Sequence, residues 1–158
     1  MKKIFVLACA LLVGLMTFAF APRSIDEKLL HVFNTSFPHA EKVNWLEASQ
    51  VYIVSFVDNG IRSRITYLKD GVISSYIRYY FEEGLPVNIR LALQRSFPGK
   101  KIWGVVEVSA LPDPNNAGAG SALQTAWYVK LEAPNTWMTV RVDAEGNLEV
   151  TEKYRKAK

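Results

Sequence analysis

Two stretches of this chain carry one apolar signature. Leu29, Val32, Phe33, Ser36, Phe37 and Pro38 return as Ile89, Ala92, Leu93, Ser96, Phe97 and Pro98, at a constant offset of sixty positions. Downstream, Val51-Tyr52-Ile53 corresponds to Trp127-Tyr128-Val129, and Asp70-Gly71-Val72-Ile73 to Glu145-Gly146-Asn147-Leu148. Self-similarity of this kind constrains architecture more than any single segment does, because each copy of a repeated unit must bury the same face. It predicts two like units in tandem and carries no chemistry by itself.

The N-terminus reads as a targeting segment. Lys2 and Lys3 precede an apolar run from Ile4 to about Met16, and Ala19-Phe20-Ala21 offers small residues around a cleavage point. That is the order of a secretory signal peptide. The run is shorter than the ~20 apolar residues a membrane span needs. Val6-Leu7-Ala8-Cys9 loosely resembles a lipoprotein processing site, but Ile4 and Phe5 are too little apolar sequence before it; a signal core needs ~7–15 residues. The expectation is a signal peptide over residues 1–21, an exported, periplasmic product, and no stable membrane span after cleavage.

Cleavage changes the chemistry available. Cys9 is the only cysteine and leaves with the signal, so the exported chain has no disulfide, thiolate nucleophile or thiolate metal site. The formal charge falls from +4 to +2 as Lys2 and Lys3 go. A surface of mixed charge is not the basic footprint of a nucleic-acid-binding protein.

Local patterns predict one helix and four strands per unit. Ser24-x-x-Glu27 is a capping box, and Leu29, Val32, Phe33 and Phe37 follow at helical spacing up to Pro38. A second helix opens with Pro86 at its first position and ends before Pro98, with Ile89, Ala92, Leu93 and Phe97 inward. Strands are expected over 42–47, 51–57, 61–68 and 72–81, then near 102–109, 126–133, 136–143 and 147–154. Asn59-Gly60 and Asp70-Gly71 mark tight turns between them. Short links force antiparallel meanders. The fold class expected is α+β: a tandem repeat of one helix plus a four-stranded antiparallel meander, with the helices on one face of the sheet. Residues 22–84 would form the first unit and 85–158 the second, together one compact body with a shared core.

With its signal segment, two helix-plus-four-strand copies and a Phe-Pro at the end of each helix, the chain resembles the PepSY-like proteins. These are also described as beta-lactamase-inhibitor-like and are small exported proteins of Bacteroidota. The resemblance covers roughly residues 24–156 and rests on layout and a few apolar positions, not on a catalytic signature. It implies binding or inhibition of proteins outside the cytoplasm and brings no catalytic residues with it. True beta-lactamase inhibitor proteins carry disulfides, whereas here the only cysteine is Cys9.

Strand side chains alternate between faces, which allows a guess at what the helices leave uncovered. The expected outward set is Arg62 and Arg64; Tyr76, Arg78 and Tyr80; Tyr128; and Trp137 and Arg141. By correspondence between the units, Tyr52 and Phe56 join it. Tyr, Trp and Arg are the types enriched in interface hot spots. They also simply favour strands and stabilise a solvated sheet by ~0.2–1 kcal/mol per cross-strand pair. A long connection from Leu111 to Thr125 is rich in Pro, Gly and Asn and carries Asp113, Asn115 and Asn116 as candidate recognition residues.

Catalytic patterns are sparse. His31 and His39 have no partner at a metal-binding spacing. Glu82-Glu83 stand where carboxylates favour the start of a helix. No phosphate loop or Gly-x-Ser-x-Gly elbow occurs. The function expected is a non-enzymatic, exported protein-binding module, inhibitor-like in character, that occupies an exported or cell-envelope protein through its open sheet face. No nucleic acid, cofactor or metal is expected. The alternatives are a periplasmic small-ligand or peptide sensor with a groove between the units, and a hydrolase near Glu82, Glu83 and Arg90.

Overall fold

Short turns join most neighbouring strands, and longer links join the fourth strand to the fifth and the fifth to the sixth. A computed structural model of the protein describes residues 25–112 and 122–156. The expected signal peptide, Ser24 and the loop residues Asp113, Asn115 and Asn116 lie outside the described residues. Eight strands follow in order: β1 (Glu41–Glu47), β2 (Val51–Asp58), β3 (Ile61–Leu68), β4 (Ile73–Tyr80), β5 (Lys101–Ala110), β6 (Gln124–Glu132), β7 (Thr136–Asp143) and β8 (Leu148–Arg155). Each pairs antiparallel with its chain neighbours, and all belong to one sheet in the order β1 to β8.

This overturns the expected α+β tandem repeat of helix-plus-meander units. The described residues are organised by a single eight-stranded antiparallel sheet with two α-helices, α1 (Glu27–Ser36) and α2 (Val87–Ser96). The hydrogen-bonded ladder has no break at its middle: β4 pairs with β5 from Ser75↔Ala110 to Tyr80↔Val105. Sequence similarity between the halves says nothing about whether their edge strands pair. Backbone groups left bare at two inner edges would have to find partners, and joining the edges satisfies them.

The helices end as their sequences dictate. The side chain of Asp26 accepts the Lys28 N–H at 2.7 Å and caps α1, so Asp26, not Ser24, is the N-cap. Pro86 stands at the N-cap of α2 rather than inside its first turn. Phe37 and Phe97 close the two helices, their N–H groups donating to Phe33 and Leu93 carbonyls at 2.9 and 2.8 Å. The β2–β3 hairpin turns at Asn59 and Gly60, both at positive φ (49° and 78°). Asn and Gly tolerate that geometry at little cost.

The apolar residues form two clusters on one face of the sheet, not one shared core. Leu29 and Phe33 of α1 pack on Val54, Phe56, Ile65 and Tyr67. Leu85, Ile89 and Leu93 pack on Val129, Leu131, Met138, Val140 and Val142. Phe33 sits 5.0 Å from the Phe56 ring and 5.3 Å from Trp45. Each such fully buried side chain is worth about 1.5–3 kcal/mol. Val32, expected inward, is 54% exposed, because an apolar stripe one residue wide at i, i+4 suffices to seat so short a helix.

Candidate functional site

Register and burial assign every strand residue to a face. On β3, Ser63, Ile65 and Tyr67 are buried under α1, so Arg62, Arg64 and Thr66 point the other way. Arg62 pairs with Tyr79 and Arg64 with Ile77 across β4. Tyr79 then pairs with Val106 on β5, Val106 with Tyr128 on β6, and Tyr128 with Arg141 on β7. Trp137 lies opposite Tyr154 on β8. The face without helices thus carries Arg62, Arg64, Tyr128, Trp137 and Arg141, all expected there. It also carries Lys130, outward by simple alternation with Tyr128, together with Tyr79, Trp103 and Tyr154, which sequence reasoning missed.

Five expected residues lie on the other face. Tyr76, Arg78 and Tyr80 belong to the helix side: Tyr76 packs on the α1 cluster with its ring 6.0 Å from Phe37, and Tyr80 packs on the α2 cluster. The reason is a bulge. Tyr67 pairs with Ile73 but Thr66 pairs with Ser75, so Ser74 is an extra residue. An extra residue reverses the alternation beyond it. Ile73 faces inward as expected, and every later residue of β4 is opposite to a phase counted from it. Tyr52 and Phe56 are also inward, against Tyr67 and the buried Ser63. The correspondence of Val51-Tyr52-Ile53 with Trp127-Tyr128-Val129 is one residue out of phase, since Tyr52 and Trp127 share the helix face.

Two of the misassigned residues, Arg78 and Tyr80, form a polar seam with Glu107 and Trp127 between the two apolar clusters. Tyr80 donates its hydroxyl to Glu107 Oε2 at 2.5 Å, and Trp127 Nε1 donates to the same hydroxyl at 3.0 Å. Arg78 reaches Glu107 Oε1 at 3.4 Å. Burial first, and then the Glu107 carboxylate, push the Tyr80 phenol far above its usual range. Burial and the neighbouring Tyr76 raise Tyr67 as well.

On the open face Arg62 and Lys130 are held by rings. The Arg62 guanidinium lies 4.8 Å from the centre of the Tyr79 ring. Lys130 Nζ sits among Trp103, Trp137 and Tyr154 at 5.5, 5.1 and 5.5 Å, and Trp103 meets Trp137 edge to face at 5.7 Å. A bulge aims Trp103: Ile102 pairs with Leu131 and Gly104 with Lys130, leaving Trp103 unpaired and 55% exposed. Among the described residues, Arg62, Arg64 and Lys130 take part in no ion pair, whereas Arg141 has Glu149 at 3.8 Å. A hollow of about 580 Å³ opens between these groups, walled by Tyr79, Phe81, Trp103, Val106 and Tyr128. A larger hollow of about 720 Å³ lies where β5 ends and β6 begins. Its wall includes Asp143 and Glu145 and it borders residues outside those described, so the basic-aromatic character belongs to the smaller one.

Glu82 and Glu83 lie in a 3-10 turn (Glu82–Gly84) before α2, Glu83 exposed. The hollow at Glu82 measures about 60 Å³, well below the ~300–1,000 Å³ of ligand pockets. His31 and His39 are exposed. No described helix is long and apolar enough to cross a membrane.

No family model matches the chain, and no curated protein matches it. The fold does match solved structures. One is a BLIP-like protein from Bacteroides fragilis, 13% identical, with a TM-score of 0.58 over 84% of this chain and 86% of that one. Another is a DUF2874 family protein from Bacteroides uniformis, 14% identical, with a TM-score of 0.57 over 84% of this chain and 90% of that one. A third, from Bacteroides eggerthii and provisionally described as periplasmic, is 15% identical, with a TM-score of 0.57 over 84% of this chain and 89% of that one. The chain therefore has the BLIP-like fold. Nothing in these comparisons supports the PepSY-like side of the resemblance.

Proposed function

We propose that the protein is an exported, non-catalytic, inhibitor-like module that binds another envelope or exported protein through the helix-free face of its sheet. The observation that carries this is the pairing of aromatic rings with cations that have no acidic partner among the described residues: Arg62 against Tyr79, and Lys130 among Trp103, Trp137 and Tyr154. A sheet face needing only solubility would pair its charges across strands, as Arg141 and Glu149 do at the far edge. Aromatic and Arg side chains dominate interface energetics, and unpaired cations steer and orient an acidic partner. The BLIP-like fold and the signal-like N-terminus support the same reading. The test is capture of a partner from an envelope extract by the protein and by an Arg62→Ala, Tyr128→Ala, Trp137→Ala variant of equal thermal stability. Loss of one defined partner with the variant is the expected result; retention of the same partner contradicts the assignment of the face.

A further inference from the structure

We propose that the hollow around Gly104 is a binding site for a small aromatic carboxylate, a ligand site that goes beyond protein binding. Gly104 lies in the interior of β5, where the missing side chain forfeits packing and costs backbone entropy. The backbone does not require glycine there: Gly60, Gly71, Gly99 and Gly146 adopt positive φ, and Gly104 does not. Nor does a neighbour exclude a side chain, since a Cβ built on Gly104 meets nothing within 4 Å. The space it leaves is part of the hollow of about 580 Å³, within the ~300–1,000 Å³ range of small-molecule sites. Gly104 borders the bulge at Trp103, but that bulge sets no positive φ at Gly104, so the open space above it is left for close approach of a ligand.

The chemistry of the walls defines that ligand. Tyr79, Phe81, Trp103 and Tyr128 offer ring faces and edges, with Phe81 70% and Trp103 55% exposed. Such surfaces receive an aromatic body through offset or edge-to-face contact. The charged groups that line the hollow are Arg62 and Lys130, and no acidic side chain among the described residues lines it. Both cations are positioned by rings instead of by carboxylates, so their donors stay available to an anion. A guanidinium binds a carboxylate with two parallel N–H···O bonds, which makes Arg62 the anchor and Lys130 the second charge.

The probe is 2-naphthoate, with 2-naphthylmethanol as its uncharged counterpart, titrated by calorimetry and by the amide shifts of Gly104 and Val106. Saturable binding of naphthoate below about 1 mM is expected, with the alcohol and an Arg62→Gln variant each at least about tenfold weaker. A Gly104→Leu variant fills the space; it should keep the parent's near-ultraviolet circular dichroism and melting temperature and lose binding. Absence of saturable binding overturns the site, as does equal affinity for the alcohol. Undiminished binding by a folded Gly104→Leu protein also overturns it. None of these outcomes bears on partner capture, so the protein-binding reading stands or falls separately.

Discussion

The Tyr80 hydroxyl and the Glu107 carboxylate meet at 2.5 Å across β4 and β5, the strand pair at the middle of the sheet. Trp127 reaches the same two groups at 3.0 and 3.3 Å, so one carboxylate fastens three adjacent strands between the two apolar clusters. A hydrogen bond to a charged group contributes about 1.5–3 kcal/mol. Tyr80→Phe should lower unfolding stability by about that amount. Glu107→Ala should cost at least as much, since Tyr80, Trp127 and Arg78 all donate to it. A double-mutant cycle by urea denaturation checks the coupling; additive losses would show that the contact does not hold the strands.

The same pair makes stability fall in alkali. Burial and Glu107 raise the Tyr80 phenol in the folded chain, so the unfolded chain gives up this proton first. The stabilisation is complete below the unfolded value near pH ~10 and is lost as pH rises from there toward the folded value. Urea midpoints should therefore decline above pH ~10, and Tyr80→Phe should flatten the decline. A Tyr80→Phe slope equal to the parent's would assign the alkaline loss to other groups.

Two apolar clusters on one ladder should unfold together. Phe33→Ala, in the α1 cluster, is expected to cost about 3–5 kcal/mol, and Leu93→Ala, in the α2 cluster, about 2–5 kcal/mol. Both residues are 1% exposed. Because β4 and β5 pair without a break, each substitution should lower a single transition seen alike by fluorescence and circular dichroism. Two separated transitions would show that the halves are independent folding units.

Much of this was legible in the sequence. Helix and strand positions follow from apolar spacing and from Asn59-Gly60 and the two Phe-Pro ends. Faces were legible only where no bulge intervenes. Arg62, Arg64, Tyr128, Trp137 and Arg141 follow from simple alternation, whereas Ser74 reverses β4 and hides Tyr76, Arg78 and Tyr80 on the helix side. Trp103 escaped notice for a related reason: its exposure comes from a bulge at Ile102–Gly104, which no alternating pattern encodes. The single sheet was not legible at all, because edge pairing between β4 and β5 leaves no mark in composition or period. Gly104 was the available clue to the hollow, as a glycine inside an apolar strand without a turn signal.

Export has its own test. When the full chain is expressed in a Gram-negative host, the product should appear in the periplasmic fraction with an intact mass beginning at residue 22. A lipid-modified N-terminus at Cys9, or retention of residues 1–21 in a cytoplasmic product, would contradict it.

The most direct test of the open face is site-specific photo-crosslinking in an envelope extract. A photoreactive residue is placed at Tyr128 on the open face and, in a second protein, at Leu91, which is 45% exposed on α2. The expected result is one discrete adduct from position 128, lost on Arg62→Ala and absent from position 91. An adduct formed equally from both positions, or from position 91 alone, would show that the basic-aromatic face is not the surface the protein works with.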